Sequence, residues 1–146
     1  MAPHKVESHQ SKEQRTIGGG ECNGKPKDLS GFFNPQGVAV IGASPNPSKI
    51  GFQILNNIIV GGFAGGIYPV NPRENEILGR PAYRSVTDIP GPVDLAVITI
   101  PAPQVMAAME ECGRKGIRNV AIITSGFGEV GGMEEERRLK EFADQN

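Results

Sequence analysis

Three apolar runs constrain this chain more than any other feature: residues 38–41 (VAVI), 94–100 (DLAVITI) and 119–124 (NVAIIT). Each is rich in β-branched residues and apolar without alternation. The strand it predicts is therefore buried on both faces, as in a parallel sheet. A fourth run, residues 66–71 (GIYPVN), predicts a strand with Pro69 at an edge or irregular position, because proline cannot donate to the ladder. Between the runs lie helical patterns. Residues 50–60 carry apolar side chains at positions 50, 54, 55, 58 and 59, and Gly61-Gly62 stops them. Residues 104–115 point Val105, Ala108, Met109 and Cys112 inward, ending at Gly116. Residues 133–143 bring Met133, Leu139, Phe142 and Ala143 on or near one face. Residues 72–92 are turn-rich, with room for a short strand near Ala82 and Tyr83. Leu29, Phe32 and Phe33 are placed to cap the core just before Pro35.

Strands that alternate with helices build βαβ units with right-handed crossovers. The expected fold is α/β, a Rossmann-like doubly wound parallel sheet over residues 29–146. The chain stops at the end of a helix, where one more strand belongs. The sheet is therefore expected to lack its last strand, and the chain to be a fragment or one part of a larger enzyme. Residues 1–28 are charged, amide-rich and glycine-rich, and read as a disordered N-terminal extension.

Glycine (20) and proline (12) make up about a fifth of the 146 residues. That is just under the roughly 25–30% at which low-complexity disorder begins, so position decides what they mean. Most of those beyond residue 28 stand where strands hand over to loops. A net charge of -1 leaves no basic surplus to neutralise nucleic-acid phosphates. No apolar run approaches the ~20 residues that span a bilayer, and the polar N-terminus has no secretory h-region. Cys22 and Cys112 make neither a metal spacing nor a disulfide framework, so a reduced, cytoplasmic setting is expected. Both histidines, His4 and His9, lie in the polar leader. Chemistry that needs an imidazole in the core cannot be completed by residues 29–146, and no catalytic residue is assigned.

In open α/β sheets ligands bind beyond the C-terminal strand ends, at the switch point of strand order. Four loops qualify. The first, residues 42–51 (GASPNPSKIG), turns on Gly42 and offers Ser44, Ser48, Lys49 and a helix N-terminus, an arrangement that binds phosphate. It departs from G-x-G-x-x-G, with Ser at 44 and Pro at 47, and an ordinary strand–helix turn is the alternative. The second reads Val70-Asn71-Pro72-Arg73. NAD sites usually place an acid there for the ribose hydroxyls. An arginine instead suits a phosphorylated ribose, as in CoA or NADP; a solvated loop cation is the alternative. The third, Ile100-Pro101-Ala102-Pro103, is stiff and poor in donors, fit for an apolar wall or for starting a helix. The fourth, Thr124-Ser125-Gly126-Phe127-Gly128-Glu129, offers hydroxyls and close backbone approach to a thiol-bearing arm. Glu129 is a conceivable base but has no core histidine to pair with. The acids at 134–136 suit a helix dipole.

The combination VIGAS, YPVNP, EILG, DLAVITIPA and ITSGFGE, spread from about Leu29 to the last helix, resembles the N-terminal CoA-binding domain of NDP-forming acyl-CoA synthetases. These include ADP-forming acetate–CoA ligase and, more distantly, the succinyl-CoA synthetase α subunit. The resemblance implies the reaction acyl-CoA + ADP + phosphate = acid + CoA + ATP, carried through a phosphohistidine. It implies that Gly42, Ala43, Ser44, Ser48 and Lys49 hold CoA phosphates, and that Asn71, Pro72 and Arg73 lie beside the adenosine and 3′-phosphate. Pro101, Ala102 and Pro103 would wall the nucleotide, and Thr124, Ser125 and Gly126 would meet the pantetheine end. The family's phosphorylated histidine and its ATP-grasp domain are not in this chain, so CoA binding without turnover is expected of it alone. The expected partners are CoA or acyl-CoA, further synthetase domains or an ATP-grasp subunit, and other copies in an oligomer, with no metal, nucleic acid or membrane. Two other functions stay open: a non-catalytic CoA-binding or CoA-sensing module, and an NADP-binding Rossmann domain.

Overall fold

A computed structural model describes residues 29–124 and 132–145. The expectation for residues 1–28 lies outside it. The described elements are α1 (Ser30–Phe33), β1 (Gly37–Ile41), α2 (Ile50–Val60), β2 (Gly66–Val70), β3 (Glu76–Ile77), β4 (Arg80–Pro81), a 3-10 turn (Val86–Asp88), β5 (Leu95–Ile98), α3 (Ala102–Lys115), β6 (Asn119–Ile122) and α4 (Met133–Gln145).

Four of the strands form one parallel sheet in the order β2-β1-β5-β6. β1 is buried at every position, as its unbroken apolar run requires. On one face, Val40, Leu55, Ile67 and Ile77 pack together beneath α2. On the other, Ala39, Ile41, Ala96 and Ile98 meet Val105, Ala108, Met109 and Cys112 of α3. The direction of winding therefore reverses between β1 and β5, which makes the sheet Rossmann-like and doubly wound. At its opposite end, the Asp94 carboxylate accepts the Gln36 and Gly37 N–H groups, tying the start of β5 to the start of β1.

Pro69 lies on β2, an edge of this sheet. Its nitrogen faces outward, where its carbonyl accepts the Tyr83 N–H at 2.9 Å and the Asn71 N–H donates to the Tyr83 carbonyl at 2.9 Å. Tyr83 thus pairs with Val70 as a short parallel bridge, and the missing proline donor costs the β1 ladder nothing.

Several expectations need correction. The turn-rich region holds a hairpin, β3–β4, just before Ala82. Its two central residues, Leu78 (φ 51°) and Gly79 (φ 72°), both adopt positive φ, the pattern of a type I′ turn. Leucine gives no warning of that. Phe33 and Leu29 do not cap the core: they are 80% and 54% exposed. Ala102 and Pro103 belong to the first turn of α3, with Pro101 as N-cap. A proline there loses only an N–H that a helix start leaves unbonded in any case. In α4, Leu139 and Phe142 pack on the core while Met133 is exposed. β6 is only half-buried, and Ile123 beyond it is 44% exposed. Among the described residues β6 is an edge, and α2 covers β1 and β2 rather than this side of the sheet.

Candidate functional site

A cleft of about 940 Å³ opens at the C-terminal edge of the sheet, over the point where β1 and β5 lie side by side. It collects residues from all four strand ends. Gly42, Ala43, Ser44 and Lys49 come from the loop after β1, Asn71 and Arg73 from the loop after β2, Pro101 from beyond β5, and Thr124 from beyond β6.

The first loop is shaped by Gly42, whose φ of 90° lies where L side chains rarely go. A Cβ there would stand 2.7 Å from Thr99 Oγ1 and 2.8 Å from Ile100 Cγ2. Beyond it the loop is held by its own polar groups. The Asn46 N–H donates to Ser44 Oγ at 3.1 Å, and the Ser48 N–H donates to Asn46 Oδ1 at 2.9 Å. The Lys49 N–H donates to the Asn46 carbonyl at 3.0 Å. Among the described residues no side chain caps α2, which starts at Ile50. Its first N–H groups and the positive end of its dipole stand beside Lys49, Ile50 and Gly51, all of which line the cleft. Chemically, such an arrangement can take an anion.

Gly51 carries no motif signal in the sequence. A Cβ at this position would run into the Gly42 carbonyl oxygen and lie 3.0 Å from Thr99 Oγ1. α2 therefore rests directly on the backbone of the loop that precedes it. In the dinucleotide fingerprint the third glycine serves such close packing. Here the same need is met by a glycine beyond a loop carrying Pro45 and Pro47, so the short motif does not reveal it. Thr99 was missed as well. Its hydroxyl donates to the Ile41 carbonyl at 3.0 Å, joining the ends of β1 and β5 under the cleft floor.

Asn71 bridges two of the loops. Its Nδ2 donates to the Ala43 carbonyl at 2.7 Å, and its Oδ1 accepts the Arg73 N–H at 2.8 Å. Ser48, Pro72, Ala102 and Pro103 do not line the cleft. Ala102 and Pro103 border a hollow of about 130 Å³ toward α4 instead. Ser125, Gly126 and Glu129 lie outside the described residues. The cleft adds apolar walls from Ile100, Ile122 and Ile123.

A second hollow, of about 500 Å³, lies between α3, β6 and α4 and is lined by Met109, Cys112, Leu139 and Phe142. It is remote from the loops after β1 and β2 and reads as a packing gap under α4. Burial, and then the neighbouring Glu111 carboxylate, push the Cys112 thiol up to about 12. It stays protonated and therefore a poor nucleophile.

The fold and the cleft define a class: a Rossmann-like α/β domain with a cleft at its switch point. The family model for the CoA binding domain matches residues 36–146, and this chain belongs to that family. Two α subunits of ADP-forming acetate–CoA ligases from Pyrococcus furiosus are similar. Subunit II is 51% identical over 118 residues, covering 79% of this chain and 25% of its own length. Subunit I is 52% identical over 121 residues, covering 79% and 26%. A solved acetyl-coenzyme A synthetase 1 from Ca. Korarchaeum cryptofilum, in complex with phosphate and ADP, superposes with a TM-score of 0.78 at 46% identity. That match covers 81% of this chain and 25% of the synthetase. The chain thus spans about a quarter of the length of these relatives. It matches the CoA-binding part of ADP-forming acyl-CoA synthetases, and coenzyme A is its ligand. Among the described residues no helix is long and apolar enough to cross a membrane.

Proposed function

We propose that this domain serves an ADP-forming acyl-CoA synthetase, supplying the CoA site for acyl-CoA + ADP + phosphate = acid + CoA + ATP. The observation that carries the reading is the pairing, in one cleft, of a helix N-terminus without a side-chain cap, beside Lys49, with Arg73 in the loop after β2. CoA carries a pyrophosphate and a ribose 3′-phosphate, and these two features answer them separately. Gly42, Ala43, Ser44 and Lys49 take the pyrophosphate, with Ser48 shaping their loop. Arg73 takes the 3′-phosphate on the adenosine side, from a turn that Asn71 and Pro72 lead into. Pro101 backs the nucleotide, while Ala102 and Pro103 start α3 behind it. Thr124, Ser125 and Gly126 meet the pantetheine arm. The phosphorylatable histidine and the ATP-binding part come from further synthetase domains or an ATP-grasp subunit, within an oligomer.

Titration calorimetry with CoA, dephospho-CoA and NADPH tests this. CoA is expected to bind more tightly than either of the others. Arg73→Ala is expected to weaken CoA selectively over dephospho-CoA by ~1.5–3 kcal/mol, the usual worth of a hydrogen bond to a charged group. Binding of NADPH without CoA refutes the reading. Equal binding of CoA and dephospho-CoA by the unmodified chain refutes the role of Arg73.

A further inference from the structure

We propose that Asn71 is a positioning residue: it sets the spacing between the phosphate loop after β1 and Arg73 after β2, and it acts on the ligand through them. The inference rests on the reading of Arg73 as partner of the 3′-phosphate and goes one step further, to what holds Arg73 in place.

The side chain of Asn71 is engaged at both ends. Its Nδ2 donates to the Ala43 carbonyl at 2.7 Å and its Oδ1 accepts the Arg73 N–H at 2.8 Å. Its backbone is fixed as well, because its N–H donates to the Tyr83 carbonyl at 2.9 Å. Ala43, the residue it grips, is fully buried and sits one step after Gly42, whose N–H donates to the Val70 carbonyl at 3.0 Å. The two loops are therefore tied twice: once backbone to backbone at the strand ends, and once through this amide, farther out toward the cleft. A carboxamide suits the task, since it presents a donor and an acceptor in one rigid plane. Arg73 projects from a turn closed by that same Oδ1. Without the amide only the strand-end bond from Gly42 to Val70 links the two loops, and Arg73 is freed to move relative to the Ala43 carbonyl. Two phosphates on one ligand require their separation to be set before binding.

The test uses the full chain as Asn71→Ala, Arg73→Ala and the double variant, titrated with CoA and with dephospho-CoA. Asn71→Ala is expected to shrink the CoA preference over dephospho-CoA roughly tenfold, on the scale of one lost hydrogen bond. In the Arg73→Ala background it is expected to change that preference no further. Equal weakening of both ligands by Asn71→Ala overturns the inference, since that is what simple destabilisation does. Independent, multiplying losses also overturn it, since they would place Asn71 on the ligand itself. If Arg73→Ala leaves the preference intact, the reading of Arg73 has failed instead. Amide hydrogen exchange without ligand then decides for Asn71. Faster exchange at Arg73 and at residues 43–46 in Asn71→Ala supports the tie between the loops, and unchanged protection there overturns it.

Discussion

Replacing Gly51 by alanine should destabilise this protein, although helix propensity alone says the opposite. In an exposed helix position Gly→Ala gains up to ~1 kcal/mol. At Gly51, however, the new Cβ meets the carbonyl oxygen of Gly42 and stands 3.0 Å from Thr99 Oγ1. Neither partner can step aside. Gly42 is held at φ 90°, and its N–H is bonded to the Val70 carbonyl at 3.0 Å. The Thr99 hydroxyl is bonded to the Ile41 carbonyl at 3.0 Å. α2 must shift outward, and overpacking of this kind costs about 1–3 kcal/mol. The net expectation is a loss of about 1–2 kcal/mol, with the steric cost outweighing propensity. Gly113 in α3 is the control. A Cβ there comes no closer than 3.4 Å to Phe142 Cζ, an ordinary contact, so Gly113→Ala should gain about 0.5–1 kcal/mol. Urea unfolding followed by circular dichroism measures both. Opposite signs support the argument. A Gly51→Ala variant as stable as the parent would show that α2 does not rest on the loop. CoA affinity should fall with Gly51→Ala and stay unchanged with Gly113→Ala.

Leu78→Asn should raise stability by about 0.5–1 kcal/mol, because asparagine tolerates the left-handed conformation that leucine holds at φ 51°; a lower melting temperature contradicts this. The Cys112 thiol, pushed up to about 12 by burial and then by Glu111, should resist alkylation at pH 8 in the folded protein and react once it is unfolded. Its effect on stability has a definite sign. The unfolded thiol ionises near 9.0 while the folded one keeps its proton. The contribution is therefore complete below pH 9 and declines above it, by up to ~1.4 kcal/mol per pH unit. A Cys112→Ala variant should lose that part of the alkaline slope in pH-dependent unfolding.

Much of the fold is legible along the chain because its signals are local. An unbroken β-branched run such as Val38-Ala39-Val40-Ile41 leaves few alternatives to a buried strand. The inward positions of α3 follow from spacing alone, and all four of them are buried. What escapes is whatever depends on a distant partner. The exposure of Phe33 depends on whether anything lies over it. The β3–β4 hairpin is two residues per strand with leucine at a turn position that favours asparagine or glycine. The place of Ala102 and Pro103 at the head of α3 is a matter of cap geometry, which apolar periodicity does not record.

The sequence by itself determined the alternation of strands and helices, and the breaks that open a loop after each strand, because these follow from short-range propensity and from the donors and φ values that Gly and Pro permit. Only the tertiary structure decided which loops meet. β1 pairs with both β2 and β5, and this placement brings Gly42 against Thr99 and brings Asn71 within reach of Ala43. Contacts across such sequence distances depend on how two helices cover opposite faces of one sheet. No window of neighbouring residues carries that information.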